Sequence, residues 1–284
     1  MFDVLESGLV LCLALSVMFS VGLDLDFRKL ILTMEFGLPL AKGLLVNLLL
    51  IPILVIGCLS FFALESAPSI AILLCALCAG GSTGLLFSLH AKGDMIFSLS
   101  LFMVLNLLSL ILVPIYLVFM VDFYLPDDRV SEPLTIFGAA VMSIFWFQIL
   151  PLAVGMSVRR YSFGMAIKIY PYSKKIANIS LVCLFVGFAI TKWQSLVAMP
   201  LLSIVLLMAI VVGTVLVSAV FGPLGVAVGR SMVFVTVVRN LTLALLVSDR
   251  VFDDAEITLV ILTYGLFMYI ACALLLLITK RLKV

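Results

Sequence analysis

The sequence predicts an all-α polytopic membrane protein of nine transmembrane helices, arranged as inverted repeats of four and five. Two of those helices are expected to be discontinuous and to cross at the membrane midplane. Three observations lead there. The chain is 65% hydrophobic and 11% charged over its whole length, with a mean hydropathy of +1.39; a soluble domain is about half apolar and about one quarter charged. Long apolar runs recur at roughly the 20-residue length that crosses a hydrocarbon core. Two of them are interrupted by polar residues at matching depth.

The expected spans are 4–23, 38–63, 67–89, 95–121, 134–157, 177–195, 199–220, 225–248 and 256–279. Backbone facing lipid must bond to itself, so each span is a helix. The first includes SGLVLCLALSVMFSVGL (7–23). Asp3 and Glu6 precede it where a signal peptide would carry Lys or Arg, which marks a retained helix. The second carries a proline within GLLVNLLLIP (43–52). The third is broken by AGGSTG (79–84), and HAKGD (90–94) leads from it into the long apolar fourth. After the fifth, VRRYSFGMAIKIYPYSKK (158–175) is expected to lie as an interfacial amphipathic segment against anionic lipid. The sixth ends at Trp193 beside Lys192, an interfacial anchor. The seventh again bears a proline, the eighth is interrupted by VVRNLT (237–242), and the ninth carries Tyr264.

Charge orients this array. Of 17 Lys and Arg, 13 fall in one set of alternate loops and 3, Arg129, Lys192 and Arg250, in the other. The positive-inside bias places the N-terminus outside and the C-terminus in the cytoplasm, in a multi-pass protein of the cell (inner) membrane. The acidic outer segments, 122–128 and 248–256, agree and are expected to serve solvation. A net charge of +2 without basic–aromatic clusters excludes nucleic acid as a partner.

Spans two to four and seven to nine share one layout with opposite direction: proline-bearing helix, interrupted helix, polar loop, long apolar helix. Interruptions in corresponding positions of inverted halves point to a transporter's midplane site. The unequal halves imply that the first lacks a leading helix. A helix broken in lipid exposes N–H groups at one half and carbonyls at the other, able to hold an anion and a cation respectively. Arg239 therefore has two readings: its donors satisfy the converging carbonyls, or its guanidinium faces a cavity and clamps a carboxylate in bidentate fashion.

Other chemistry is sparse. The six cysteines all lie in apolar runs, and Cys75-x-x-Cys78 lacks the further ligands of a closed zinc site; neither a metal nor a cofactor is expected. No Asp or Glu occupies a span centre, and the single His90 lies at a cytoplasmic end. This disfavours a proton relay and leaves no nucleophile–base pair for an enzyme.

MFSVGLDLDFRKL (18–30), GLLVNLLLIP (43–52), CAGGSTGLLFSLHAKGD (78–94) with SLSLF (98–102), LPLAVGMSVRR (150–160) and VVRNLTLAL (237–245) resemble, in order and spacing, the bile acid:sodium symporter family. The resemblance implies a panel domain, 1–33 with 133–197, and a core transport domain, 34–132 with 198–284. It implies alternating-access transport of a small organic anion, carboxylate or sterol-like. The crossing of the two interruptions is expected to bind the substrate at Gly80, Gly81, Ser82, Thr83, Arg239, Asn240 and Thr242, with Asn47 nearby and Tyr264 in reach.

At the family's sodium positions the likeness fails. A Ser-Asn pair is replaced by Gly84 and Leu85, a Ser/Thr pair by Ser98 and Phe102, an acidic residue by Val235, and a Gln by Arg239. Asn47 stands where the family has Gln. Hence the expectation that Arg239 takes the ion's place and that sodium coupling is lost. A sodium-coupled symporter of the same fold and a transport-inactive membrane sensor or scaffold are the alternatives. Substrate identity, direction of transport and oligomeric state are not readable from the sequence.

Overall fold

The computed structural model describes residues 2–24, 36–62, 64–124, 133–222 and 225–281. The expected outer segment 122–128, Arg129, the loop bearing Arg28 and Lys29, and the boundaries at 33 and 132 lie wholly or partly outside those residues. Every regular element among the described residues is helical. They are α1 (Phe2–Asp24), α2 (Gly37–Leu45), α3 (Ile51–Phe61), α4 (Ser66–Leu77), α5 (Thr83–His90), α6 (Met95–Tyr124) and α7 (Pro133–Ile144). Next come α8 (Leu150–Tyr161), α9 (Phe163–Thr191), α10 (Trp193–Ala198), α11 (Leu201–Val220), α12 (Val226–Val237), α13 (Leu241–Val247) and α14 (Ala255–Arg281). Eight segments are long and apolar enough to cross a membrane: Ser7–Asp24, Gly37–Phe61, Met95–Phe119, Phe137–Tyr161, Phe163–Thr191, Leu201–Val220, Val226–Phe252 and Ala255–Thr279. Ser66–Leu77 is a shorter apolar helix.

Three of these segments contain a π-helical turn: Val46–Leu50 joins α2 to α3, Phe145–Ile149 joins α7 to α8, and Ser248–Phe252 comes directly after α13. A π turn inserts a residue and rotates the helix beyond it. Each of these turns holds one polar side chain inside the protein: Asn47, Gln148 and Ser248.

The chain divides into two compact units. One comprises Met1–Phe27, Pro114–Met199 and Thr242–Leu259; the other comprises Arg28–Val113, Pro200–Leu241 and Val260–Val284. The panel and core implied by the resemblance are a division by motion, which these contacts do not test.

In the first unit α1 packs along α8 and α9. Gly22 and Gly155 face each other so closely that a Cβ on either would sit 2.3 or 2.4 Å from a carbonyl oxygen of the opposite helix. Small residues at a membrane helix contact allow this approach, which lets dispersion act where no hydrophobic effect can. Arg159 Nη1 donates to Leu23 O at 2.8 Å, closing the end of α1, and Ser173 Oγ donates to Ser16 O at 2.9 Å.

The expected interfacial segment 158–175 is not a separate element. Its residues from 163 onward are the first half of α9, which runs unbroken through Pro171. Ala166, Ser173, Ala177, Ser180, Leu184 and Phe188 recur at three- to seven-residue spacing and are buried together. That stripe holds the whole length to its neighbours and overrides the local amphipathicity.

In the second unit α12 packs against α5 and α11, and α3 against α4. Val226–Phe252 is the most enclosed of the candidate spans, 89% buried, against 22% for Phe163–Thr191. The candidate span carrying Arg239 is the one most buried inside the protein.

Candidate functional site

Two helix breaks define the site, both in the second unit. The first spans residues 78–82, between α4 and α5, where Gly80 adopts φ +84°. The second spans 238–240, between α12 and α13, where Val238 is extended at φ −78°, ψ 106°. The two segments bond to each other through the backbone. Gly81 N–H donates to Val238 O at 3.1 Å, and Asn240 N–H donates to Cys78 O at 2.8 Å. This reciprocal pair ties the two interruptions together and satisfies backbone groups that lipid would leave bare.

The close approach explains the glycine. A Cβ on Gly81 would stand 2.4 Å from Arg239 O and 2.8 Å from Val238 Cγ1; one on Gly80 would meet Asn106 N at 2.9 Å.

Further bonds hold the two interruptions. Ser109 Oγ donates to Ala79 O at 3.1 Å, Leu241 N–H to Arg239 O at 3.0 Å, and Arg239 N–H to Met268 Sδ at 3.1 Å. Asn240 Nδ2 donates to Asn106 Oδ1 at 2.9 Å. The reading in which Arg239 satisfies converging carbonyls is therefore corrected. The opposite break and α6 engage those carbonyls, and the guanidinium turns elsewhere.

Its one side-chain hydrogen bond runs from Nη1 to Asn47 Oδ1, at 3.1 Å. Asn47 is fixed in turn: Nδ2 donates to Gly43 O and to Thr236 Oγ1, each at 2.9 Å. Because arginine only donates, Asn47 must present its oxygen to it and its amino group to the other two. Nε and Nη2 of Arg239 have no hydrogen-bond partner among the described residues, although the side chain is 1% exposed. Tyr264, Cys75 and Cys78 are the titratable groups near it. The Tyr264 hydroxyl lies beside the guanidinium, close enough to interact with its charge, without completing a hydrogen bond to Nε or Nη2. Among the described residues no carboxylate lies within ion-pair distance of Arg239.

Of the residues anticipated for the site, the structure brings Gly80, Gly81, Arg239, Asn240, Asn47 and Tyr264 together in one unit. Ser82 and Thr83 are half-buried at the start of α5, and Thr83 Oγ1 lies 3.3 Å from the Tyr269 hydroxyl. Thr242 is buried, but it belongs to the first unit. Sequence reasoning missed Asn106, Ser109, Thr236 and Met268. A signal existed for two of them: VLNLLSLIL (104–112) places a polar pair three residues apart on an apolar helix.

Residues 10–199 match the model of the Sodium Bile acid symporter family. The chain belongs to that family. No curated protein matches it. The family is one of membrane transporters rather than enzymes, so this symporter-family protein is a multi-pass membrane transporter of the bile acid symporter type.

The residues that the resemblance set at sodium positions are packed as follows. Phe102 and Val235 are buried apolar side chains. A Cβ on Gly84 would lie 3.1 Å from Phe234 O. Ser98 is buried, donates to Asp94 O at 2.7 Å and lies 2.7 Å from Ser88 Oγ. Among the described residues no three His, Cys, Asp or Glu side chains gather as metal ligands.

One further polar group stands apart. Gln148, on the π turn of the first unit, is fully buried with neither amide atom bonded. Leaving such a group unpaired costs about 1–3 kcal/mol. Gln148→Leu is therefore expected to raise the thermal unfolding temperature in detergent or nanodiscs. A lower temperature would show that the amide is in fact satisfied.

Proposed function

We propose that this transporter moves a small organic anion by alternating access, that Arg239 is its anion-binding group, and that sodium is not coupled. The observation that carries the reading is the Arg239 guanidinium: buried, without a countercharge among the described residues, and with two donor nitrogens unused. A cation held in this way inside a membrane protein is expensive, by several kcal/mol, and a bound anion offsets the cost.

In this reading α4 and α5 together make one further crossing, for nine spans in all. The breaks at 78–82 and 238–240 are the paired discontinuities of inverted halves of four and five spans, meeting near mid-depth. The panel (1–33, 133–197) rocks against the core (34–132, 198–284), with the N-terminus outside. The reciprocal bonds between the breaks support this assignment.

Sodium, the family's coupling ion, does not fit the donor set. Leu85, Phe102 and Val235 offer no side-chain oxygen, and the Ser98 hydroxyl is already engaged. A guanidinium about 4 Å from a bound cation would add repulsion of about 4 kcal/mol at an effective dielectric near 20. Uptake of radiolabelled carboxylates into proteoliposomes, with and without an inward sodium gradient, tests the proposal. Equal rates are expected. Strong stimulation by sodium would overturn the uncoupled reading alone, and absence of uptake for every anion would overturn the transport reading.

A further inference from the structure

We infer that α9 carries a site for one anionic phospholipid, its phosphate held by Lys174, Lys175 and Asn178 and an acyl chain laid over Ile179, Val182 and Cys183.

A groove of about 510 Å³ runs along α9, and these residues are among those that line it. That size lies within the range of small-molecule sites. The lining positions 171, 174, 175, 178, 179, 182 and 183 recur at three- and four-residue steps, so they share one face of the helix. The face is turned away from the buried stripe of Ala177, Ser180 and Leu184 that packs α9 within the first unit. Ile179 and Val182 are accordingly 52% and 59% exposed.

Two cations stand at the polar end of the groove without carboxylates. Phe163–Thr191 contains no Asp or Glu, and among the described residues neither lysine forms an ion pair. Lys174 Nζ lies 5.6 Å from the centre of the Tyr170 ring, which holds the ammonium beside the groove. One turn further along, the Asn178 amide is exposed and makes no hydrogen bond among the described residues. Beside hydrocarbon such an amide lacks the water that would otherwise satisfy it. A phosphate supplies acceptor oxygens to both ammoniums and to the amide N–H.

The apolar end decides what carries the phosphate. From Lys174 to Cys183 the helix rises roughly 14 Å, close to the depth of one leaflet of a ~30 Å hydrocarbon core. Over that rise the lining passes from ammonium to amide to aliphatic side chains and a thiol, the order of a phospholipid from head to tail. A soluble phosphate would leave the apolar half unused. A second copy of this chain, related by a twofold axis along the membrane normal, would set Lys174 and Lys175 against their own counterparts. The orientation read from charge puts this end of α9 in the cytoplasmic leaflet, whose surface is anionic.

Titration of the delipidated full chain with dioleoyl phosphatidylglycerol or dioleoyl phosphatidylcholine, read by native mass spectrometry, tests the site. The first lipid is expected to bind roughly 30-fold more tightly as phosphatidylglycerol, the value of two lysines beside an anionic headgroup. Lys174→Gln with Lys175→Gln is expected to erase that preference. Arg160→Gln with Lys42→Gln removes the same charge outside the groove and is expected to leave the preference within about twofold, since distant exposed charges are screened.

Equal binding of the two lipids by wild type would overturn the proposal, as would a preference that survives the loss of both groove lysines. Equal loss in the two double variants would overturn it too, because the attraction would then belong to a basic surface and not to a site. Glycerol 3-phosphate, the headgroup without chains, displacing the lipid at comparable concentration would give the groove to a soluble phosphate instead. The lipid comparison and the competition use wild type, so they stand even if a variant folds poorly.

Discussion

Arg239→Leu is expected to abolish anion uptake while leaving the protein at least as stable as wild type. The two halves of this result have separate causes. In the unliganded protein the guanidinium makes one side-chain hydrogen bond, keeps two nitrogens unbonded and faces no carboxylate among the described residues. Placing arginine at the centre of a membrane helix costs about 2.5–3.5 kcal/mol on insertion scales. Leucine removes that term. It also leaves Asn47 Oδ1 without a donor, a loss of about 1–3 kcal/mol. The two contributions roughly cancel, so the melting temperature in nanodiscs is expected to hold or rise.

Binding has no such compensation. Two charge-assisted bonds at about 1.5–3 kcal/mol each correspond to a loss of roughly 10²-fold or more in affinity. A structural brace would behave in the opposite way, since removing one partner of a satisfied buried network is strongly destabilising. A sharp fall in melting temperature would therefore identify Arg239 as part of the scaffold. Uptake surviving in the leucine variant would remove it from the site.

The two interruptions were legible in the sequence; the bonds that join them were not. Gly80, Gly81, Arg239 and Asn240 announce themselves because glycines, a charge and an amide are out of place in apolar spans. What binds to what depends on distances between residues more than a hundred positions apart. The carbonyls that Arg239 was expected to satisfy are taken by local and cross-break donors, the N–H of Leu241, the N–H groups of Gly81 and Asn240, and the hydroxyl of Ser109. No spacing rule forecasts that exchange.

The π turns escaped for a related reason. Asn47 and Gln148 are visible as polar residues in apolar runs, each a few residues before a proline. The inserted residue that turns them inward, however, is selected by packing rather than by propensity. Helix α9 shows the same competition in reverse. The stretch around Lys168, Lys174 and Lys175 has the composition of a surface helix, yet its stripe of small buried residues joins it to the adjoining span. The second unit's buried polar residues Asn106 and Ser109 were within reach of reasoning from periodicity, and only their partners were hidden.

Gly81→Ala is expected to cost about 3 kcal/mol of stability and most of the transport activity, because it strikes the contact between the two breaks. The added methyl would stand 2.4 Å from Arg239 O and 2.8 Å from Val238 Cγ1. The first of these atoms is backbone and cannot rotate away, so the segments must separate. Separation stretches the Gly81 N–H to Val238 O bond and the Asn240 N–H to Cys78 O bond together. Overpacking of this kind typically costs about 1–3 kcal/mol, and two weakened buried bonds bring the total to the upper end. The Arg239 guanidinium moves with its backbone, so anion affinity is expected to fall as well.

A graded series separates this mechanism from a general intolerance of glycine replacement. At Gly84 the nearest atom to a new Cβ is Phe234 O at 3.1 Å, and a smaller loss is expected; at Gly57 nothing lies within 4 Å. Gly57→Ala, inside α3, should be neutral or stabilising by about 0.5–1 kcal/mol through helix propensity. Melting temperatures and uptake rates falling in the order Gly57→Ala, Gly84→Ala, Gly81→Ala would tie both properties to the distance across the breaks. Equal behaviour of the three variants would mean that the breaks do not bear on each other in the membrane, and the site built on their contact would have to be abandoned.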